Sequence, residues 1–490
     1  MVVTSKRPAI PVPALRDRSA KRVSHQHQSR IQAHGEQLRA VDFFNVLTSA
    51  ELLDRTEALM PEYRERHYPP TVVLSMFLRQ ALEQDRSCQK AVNSWIAQRV
   101  SEGLSSPSSC TGAYSRGRQR LPLEMVRALT QEVGKLLCEK AQASWRWHGR
   151  TVKLADGTGI SMQDTPLNQA SYPQPSSQAE GVGFPLMRMT GVICLASGAV
   201  LAGAIGGHSG AGNSELGLFG QLEGCLSAGD VLLADALYCN YFLIARMQAL
   251  GVDVVFEQHG SRLTDFRSGE RLGVRDHLVW WKKPKTRPQW MSAQEYAHYP
   301  ERVRVREAKV GGRVLVTSML EGGEVSKQAL GELYKLRWNI ELDFRNIKTT
   351  LGLEVLSCKT PQMSEKELWV YLLAYNLIRL LMAQAAVHAG VHPRQLSFKH
   401  TVQLWTEWVG QGLAAMGRVH QERLLQMIAQ RRVGKRPNRI EPRARKRRPK
   451  SYAWLKVPRA KARRQIRSRG YLPNVQTHTN RPTAKAKHAK

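Results

Sequence analysis

The stretch "YKLRWNIELDFRNIKTTLGLE", Tyr334 to Glu354, decides how the rest of the chain is read. Its charged residues and apolar stripe predict a helix. At about 100° per residue, Tyr334, Arg337, Glu341 and Lys348 fall within an arc of roughly 60° on one face. A solvated row of i,i+4 ion pairs gives such a face on many helices. An acid flanked by a phenol and two cations also suits a site that grips phosphates, and the other segments of the chain discriminate between the two.

Composition narrows the classes. With 490 residues and 42% hydrophobic content, the chain exceeds what one core commonly serves, so at least two folded domains are expected. A formal net charge of +33 favours a polyanion partner, nucleic acid or an anionic membrane surface. The charge is uneven: residues 431–490 hold 22 Lys and Arg against the single acid Glu441, which reads as a basic, disordered tail. Seven cysteines form no CxxC pair and no Cys/His cluster, so neither a disulfide framework nor a structural zinc is expected, and a reducing cytoplasm fits. Residues 1–36 lack the apolar run of a secretion signal and read as a disordered basic segment. The stretch "LWVYLLAYNLIRLLMAQAAV" (368–387) is interrupted by Asn376, Arg379 and Gln384, so a buried helix is expected there and no membrane partner.

Residues 37–149 predict a helical domain, with starts at "YPPTVVLSMFLRQALEQ" and "LPLEMVRALTQEVGKLL". Between them "TGAYSRGRQR" (111–120) reads either as a segment lying on DNA or as an ordinary surface loop. From Thr151 the pattern changes to three strands, a helix, a strand, a helix and a strand, an α/β order occupying 150–390. It sets Asp156, in "VKLADGT", at the end of the first strand and Asp235, in "VLLADALY", at the end of the fourth. A basic, aromatic segment interrupts at 259–323 and predicts a β-rich insertion with a hairpin at Gly311-Gly312. Residues 391–430 continue as helix.

Stripping a carboxylate of water at a strand end is costly, so Asp156 and Asp235 need compensation. Helix capping would explain either one. The two aspartates taken with Glu341 are better explained by a divalent metal, because hard oxygen ligands suit Mg²⁺ or Mn²⁺. Two ions about 4 Å apart can activate a hydroxyl and stabilise the leaving oxygen of an in-line phosphoryl displacement. Arg337 and Lys348 then hold phosphates.

With these residues in place, the chain resembles the DDE transposases of bacterial insertion sequences, of the group with a Y-x2-R-x3-E-x6-K helix, here Tyr334, Arg337, Glu341 and Lys348. The likeness covers roughly Thr151 to Ala389. It implies an RNase H-like core with Asp156, Asp235 and Glu341 as catalytic, metal-binding triad, and two Mg²⁺ or Mn²⁺ ions as cofactors. It also implies cut-and-paste strand cleavage and transfer on double-stranded DNA, passing through a hairpin, by a homodimer in the bacterial cytoplasm on the nucleoid. Tyr334, Arg337 and Lys348 would contact phosphates, with Trp338 close by, and residues 37–149 would recognise the terminal inverted repeats.

A hairpin bends a strand end sharply, which is easier if a base leaves the stack and rests on an aromatic face. Trp280 and Trp281 are adjacent and on a strand point to opposite faces. Trp281 is favoured, then Trp290. Two other classes stay open: a tyrosine recombinase, with Tyr334 as nucleophile but no evident Arg-His-Arg set, and a non-catalytic DNA-binding protein, which leaves the acids unexplained. A glycosidase is opposed by the basic surroundings.

Overall fold

The computed structural model describes residues 68–101, 103–210, 212–411, 418–434 and 455–469. The expectations for residues 1–36, for the start of the helical domain and for most of the tail fall outside them. Among the described residues nine strands form one mixed sheet, giving an α/β fold. In chain order they are β1 (Val152–Ser161), β2 (Leu186–Cys194), β3 (Val200–Gly207), β4 (Val231–Ala234), β5 (Asp253–Glu257), β6 (Glu270–Gly273), β7 (Asp276–Lys282), β8 (Arg302–Val310) and β9 (Arg313–Thr317). Their spatial order is β3-β2-β1-β4-β5-β9-β8-β7-β6. β4 and β5 run parallel to β1, and the other neighbours pair antiparallel. The segment at 259–323 thus continues the main sheet through the pairing of β5 with β9. Its hairpin closes at Gly311 and Gly312, both at positive φ, between Val310 and Arg313.

β4 and the middle of β5 are buried throughout because helices cover the sheet. Before the sheet come α1 (Pro70–Leu82), α2 (Cys88–Ser101), α3 (Gly112–Arg120) and α4 (Leu123–Glu139). α5 (Pro166–Ser171) and α6 (Glu215–Phe219) flank the first hairpin, α7 (Tyr241–Ala249) follows β4, and α8 (Ala293–His298) lies between β7 and β8. α9 (Lys327–Lys335) and α10 (Trp338–Arg345) lead to the long α11 (Pro361–Ala389). α11 is apolar enough to span a bilayer, yet most of it is buried in this fold. Its polar interruptions have partners: Asn376 Nδ2 donates to Val200 O (2.8 Å) and Thr130 O (2.9 Å) while its Oδ1 accepts from Val200 N, tying α11 to β3 and α4. Arg379 bonds Tyr375 and the buried Asp343. α12 (Phe398–Gly410), α13 (Arg418–Gln430) and α14 (Arg459–Arg469) complete the described chain.

Three expectations change here. "TGAYSRGRQR" is helical: Tyr114 and Arg118 are buried, with Arg118 donating to the sulfurs of Cys88 (3.0 Å) and Cys358 (3.2 Å) and leaving Arg116 and Arg120 exposed. The basic tail contains a helix, α14, where disorder was expected, and its first residues are tied back by Val433 N donating to Gln395 O at 2.7 Å. The stretch from 334 to 354 is also not one straight helix.

Candidate active site

The break in that stretch sets the geometry of the site. Around Leu336 and Arg337 the amides bond three residues back, as in Leu336 N to Leu333 O and Ile340 N to Arg337 O, and Asn339 Nδ2 takes Leu336 O at 2.7 Å. After α10 the turns widen into a π segment, Asn346–Thr350. The four residues expected on one face therefore aim at different partners. Tyr334, only 5% exposed, donates to Glu257 Oε2 at the end of β5 (3.0 Å). Arg337 pairs with Glu341 at 2.8 Å. Lys348 donates to Gly159 O on β1 at 2.8 Å. Trp338, beside Arg337, is 56% exposed.

The two aspartates stand near one another because β1 and β4 are parallel neighbours. The strands pair from Val152↔Val231 to Leu154↔Leu233, Asp156 follows two residues later on β1, Asp235 follows the end of β4, and the charge of Asp235 acts on Asp156. Asp156 lies in mid-strand and not at a strand end, because β1 runs on to Ser161 as the partner of β2; what ends near Asp156 is the pairing with β4. Asp235 follows the last residue of β4 and caps a single turn, accepting from Leu237 N at 2.8 Å. α10 packs over β1, and the Phe344 ring lies 3.3 Å from where a Cβ on Gly191, the β2 partner of Asp156, would stand.

A further carboxylate, absent from the sequence reading, lies in the same place. Glu215 opens α6 and accepts from the buried Tyr238 hydroxyl at 2.9 Å. Its carboxyl lies 2.5 Å from where a Cβ on Gly157 would stand. Only the distance between β3 and β4 along the chain hid it, since no spacing motif joins Glu215 to either aspartate. Burial, then the charge of Glu215, and further that of Asp235, push the Asp156 carboxyl up to about 7, against the opposing hydrogen bond from Gly157 N (2.8 Å) and the charge of Arg337. Burial and Asp235 also raise Glu215, opposed by Tyr238 and Arg188.

Among the described residues no three His, Cys, Asp or Glu side chains are arranged to hold a metal ion, and Glu341 is occupied by Arg337. The donor chemistry nevertheless fits a hard divalent cation. Asp156, Asp235 and Glu215 offer oxygen donors, and burial together with the charges of the other two raises Asp156.

The insertion reverses one expectation. Trp281 is 3% exposed, its indole N–H donates to the buried Glu307 at 2.7 Å, and Arg262 covers its ring at 3.6 Å, so it has no face for a base. Trp280 takes the outer face at 52% exposed, with Arg302 over its ring at 4.5 Å. Trp290 is 68% exposed and leans edge-on against Phe242 of α7, the helix that follows the Asp235 turn.

A family model described as a transposase DDE domain matches residues 147–377, which include all three acids of the expected triad. The transposase InsG of insertion sequence element IS4 from Escherichia coli (strain K12) is 30% identical over 350 residues, 69% of this chain and 75% of that protein. The putative transposase InsL of element IS186A from the same strain is 34% identical over 76 residues, 16% of this chain and 20% of that protein. A chain of the piggyBac transposase synaptic complex with hairpin DNA aligns at a TM-score of 0.39 and 7% identity, covering 79% of this chain and 83% of that one. The chain belongs to the DDE transposases of insertion sequences, enzymes that cut and join DNA.

Proposed function

We propose that this transposase cuts the ends of its mobile element and passes their 3′ ends to a target, with Asp156, Asp235 and Glu341 as its catalytic carboxylates. The observation that carries the reading is that Asp235, just past the end of β4, acts by charge on Asp156 of the parallel neighbour β1, as does Arg337, which pairs with Glu341 on α10. The strand order β3-β2-β1-β4-β5, three antiparallel and two parallel to the first, supports an RNase H-like core. Two Mg²⁺ or Mn²⁺ ions held by these acids would supply an activated hydroxyl and a stabilised leaving oxygen. Arg337, released from Glu341, and Lys348 would contact the scissile strand's phosphates. Tyr334 orients Arg313 and Glu257 at the edge of the site: its ring lies 5.9 Å from Arg313, and its buried, hydrogen-bonded hydroxyl opposes a role as nucleophile. Trp290 and Trp338 offer faces for a displaced base during hairpin formation. Arg116 and Arg120 of α3 and the cations of α14 give the helical region and the tail their DNA contacts, and a homodimer would hold two ends.

The test is the full chain with labelled ends of its own element and Mg²⁺. End-specific nicks, hairpins and joined products are expected. Binding without cutting would leave a non-catalytic DNA-binding protein, and a covalent protein–DNA adduct through Tyr334 would make it a recombinase.

A further inference from the structure

The π segment that carries Lys348 is braced by the helical domain. After Asn346–Thr350 the chain turns at Gly352, at φ +79°, and folds back on itself, with Leu353 N donating to Ile347 O and Glu354 N to Lys348 O, both at 3.2 Å. Lys348 Nζ in turn reaches Gly159 O at 2.8 Å, three residues along β1 from Asp156. Where the Lys348 ammonium stands therefore depends on how that turn is held.

A guanidinium from another part of the chain holds it. Arg86, in the turn between α1 and α2, lies against the bare face of Gly352, where a Cβ would stand 1.8 Å from Nη1, 2.1 Å from Cζ and 2.3 Å from Nη2. Glycine is required there twice, for the positive φ and for the room it leaves. The Arg86 Nε is buried and, among the described residues, meets no acceptor, so the group is held by its fit to Gly352 more than by hydrogen bonds. Its backbone is anchored: Arg86 O accepts from Gln80 Nε2 at 2.6 Å, and Gln80 Oε1 accepts from the buried Tyr114 hydroxyl of α3 at 2.8 Å. Next to this contact Arg118 of α3 donates to Cys358 Sγ, and Lys366 donates to the carbonyls of Arg118 and Gln119 at 3.0 and 2.9 Å. The helical domain is thus seated on the segment that follows Lys348.

We infer that Arg86 is a positioning residue of the active site: laid on Gly352, it sets how far Lys348 reaches over β1 toward the strand to be cut. The site is thereby completed by the domain that precedes it in the chain. This rests on the reading of Lys348 as a phosphate contact proposed above and adds the group that places it.

The experiment uses the full chain and labelled ends of its own element, and reads the nicking rate with all ends bound, beside end affinity and melting temperature. Arg86→Ala should slow nicking about tenfold at unchanged end affinity. Arg86→Lys keeps the charge but has no plane to lay on Gly352, and should be slowed alike; if Arg86→Ala does not fold, Arg86→Lys carries the same comparison. In a Lys348→Ala background the Arg86 changes should add nothing further. A second tenfold loss there would show that Arg86 does not act through Lys348 and would overturn the inference. Arg86→Lys nicking at the wild-type rate would overturn it too, by making the charge and not the fit the useful part. If Lys348→Ala itself nicks as the wild type, the reading of Lys348 fails. If Lys348→Ala is slow while both Arg86 variants nick normally, with or without a lower melting temperature, only the role of Arg86 is lost and its contact is purely structural.

Discussion

Two regions of the sheet treat their acids in opposite ways. In the β6–β9 half, Asp276 receives two hydrogen bonds from Arg306, at 2.8 and 2.7 Å, and Glu307 is met by His277 at 3.2 Å, by the Trp281 indole at 2.7 Å and by Arg262 at 3.5 Å. The same holds beyond it: Asp230 has Lys153 at 2.6 Å, and Asp343 has Arg379 and Arg394. Beside the ends of the β1–β4 pairing, the partly buried Asp156 is instead raised by the charges of Glu215 and Asp235, while Arg337, which acts against them, is bound to Glu341. A buried acid with its cation is architecture; acids that raise one another's proton affinity are costly to fold, and groups perturbed in this way collect at functional sites.

The largest expected effect breaks this comparison on the acidic side. Asp156→Asn, Asp235→Asn and Glu341→Gln should each cut strand cleavage by roughly a thousandfold or more, and pairs of these changes should add little, because ligands of one centre act as a unit. Binding of labelled ends should survive. A variant with near-normal nicking in Mg²⁺ would remove its residue from the catalytic set, whereas lost binding with a collapsed melting curve would assign it to the fold.

On the paired side the same kind of change should behave differently. Arg306→Ala leaves Asp276 buried and alone, and should cost about 3–5 kcal/mol of stability in denaturant unfolding, with its effect on cleavage following only from the lost folded fraction. Arg306 also donates to Val325 O, so its loss frees the segment that enters α9. A stable Arg306→Ala variant would show that the β6–β9 half tolerates lone acids too, and the contrast between the halves would lose its meaning.

How much of this was legible in the sequence follows from the range of each signal. The strand order of 151–257, the hairpin at Gly311-Gly312 and the two aspartates could be read because period-two patterns, glycine pairs and motif residues are local. The break at Leu336 and Arg337 could not: it comes from the Asn339 side chain and from anchors on β5 and β1, neither visible in a 100° projection. Arg118 looked like a surface cation because its partners, Cys88 and Cys358, lie 30 and 240 residues away. Glu215 was missed for the same reason. Between Trp280 and Trp281 alternation required opposite faces but not which was outward, and the deciding partner, Glu307, is on another strand.

A third expectation sharpens the acidic side through pH. Asp156 is held at about 7, above the ~3.9 of an unfolded aspartate, so the folded chain binds this proton more tightly. Its contribution to stability is complete below about pH 4 and is lost as pH rises through about 7. In chelator, Asp156→Asn should therefore gain on the wild type across that window, by on the order of 2 kcal/mol once partial exposure is discounted. Mg²⁺ should narrow the gap above pH 7. Parallel stability curves for the two proteins would show that the Asp156 carboxyl is not crowded by its neighbours.

The smallest effect separates the tryptophans, and with them the two halves. β7 lies four strand spacings from β4, on the order of 19 Å, so Trp280 is remote from Asp235 on the sheet, while the segment after β7 folds Trp290 back onto α7. Base stacking on an aromatic face is worth about 1–3 kcal/mol, and an exposed ring held at one edge should give the lower end. Trp290→Ala should then slow hairpin closure about tenfold on labelled ends while first-strand nicking and the melting temperature stay unchanged. Trp281→Phe should do the reverse, lowering the melting temperature by stranding Glu307 without its indole donor and leaving the ratio of hairpin to nick as in the wild type. If Trp290→Ala closes hairpins at the normal rate, the test moves to Trp338, which stands beside Arg337, and the insertion is left with a supporting role only.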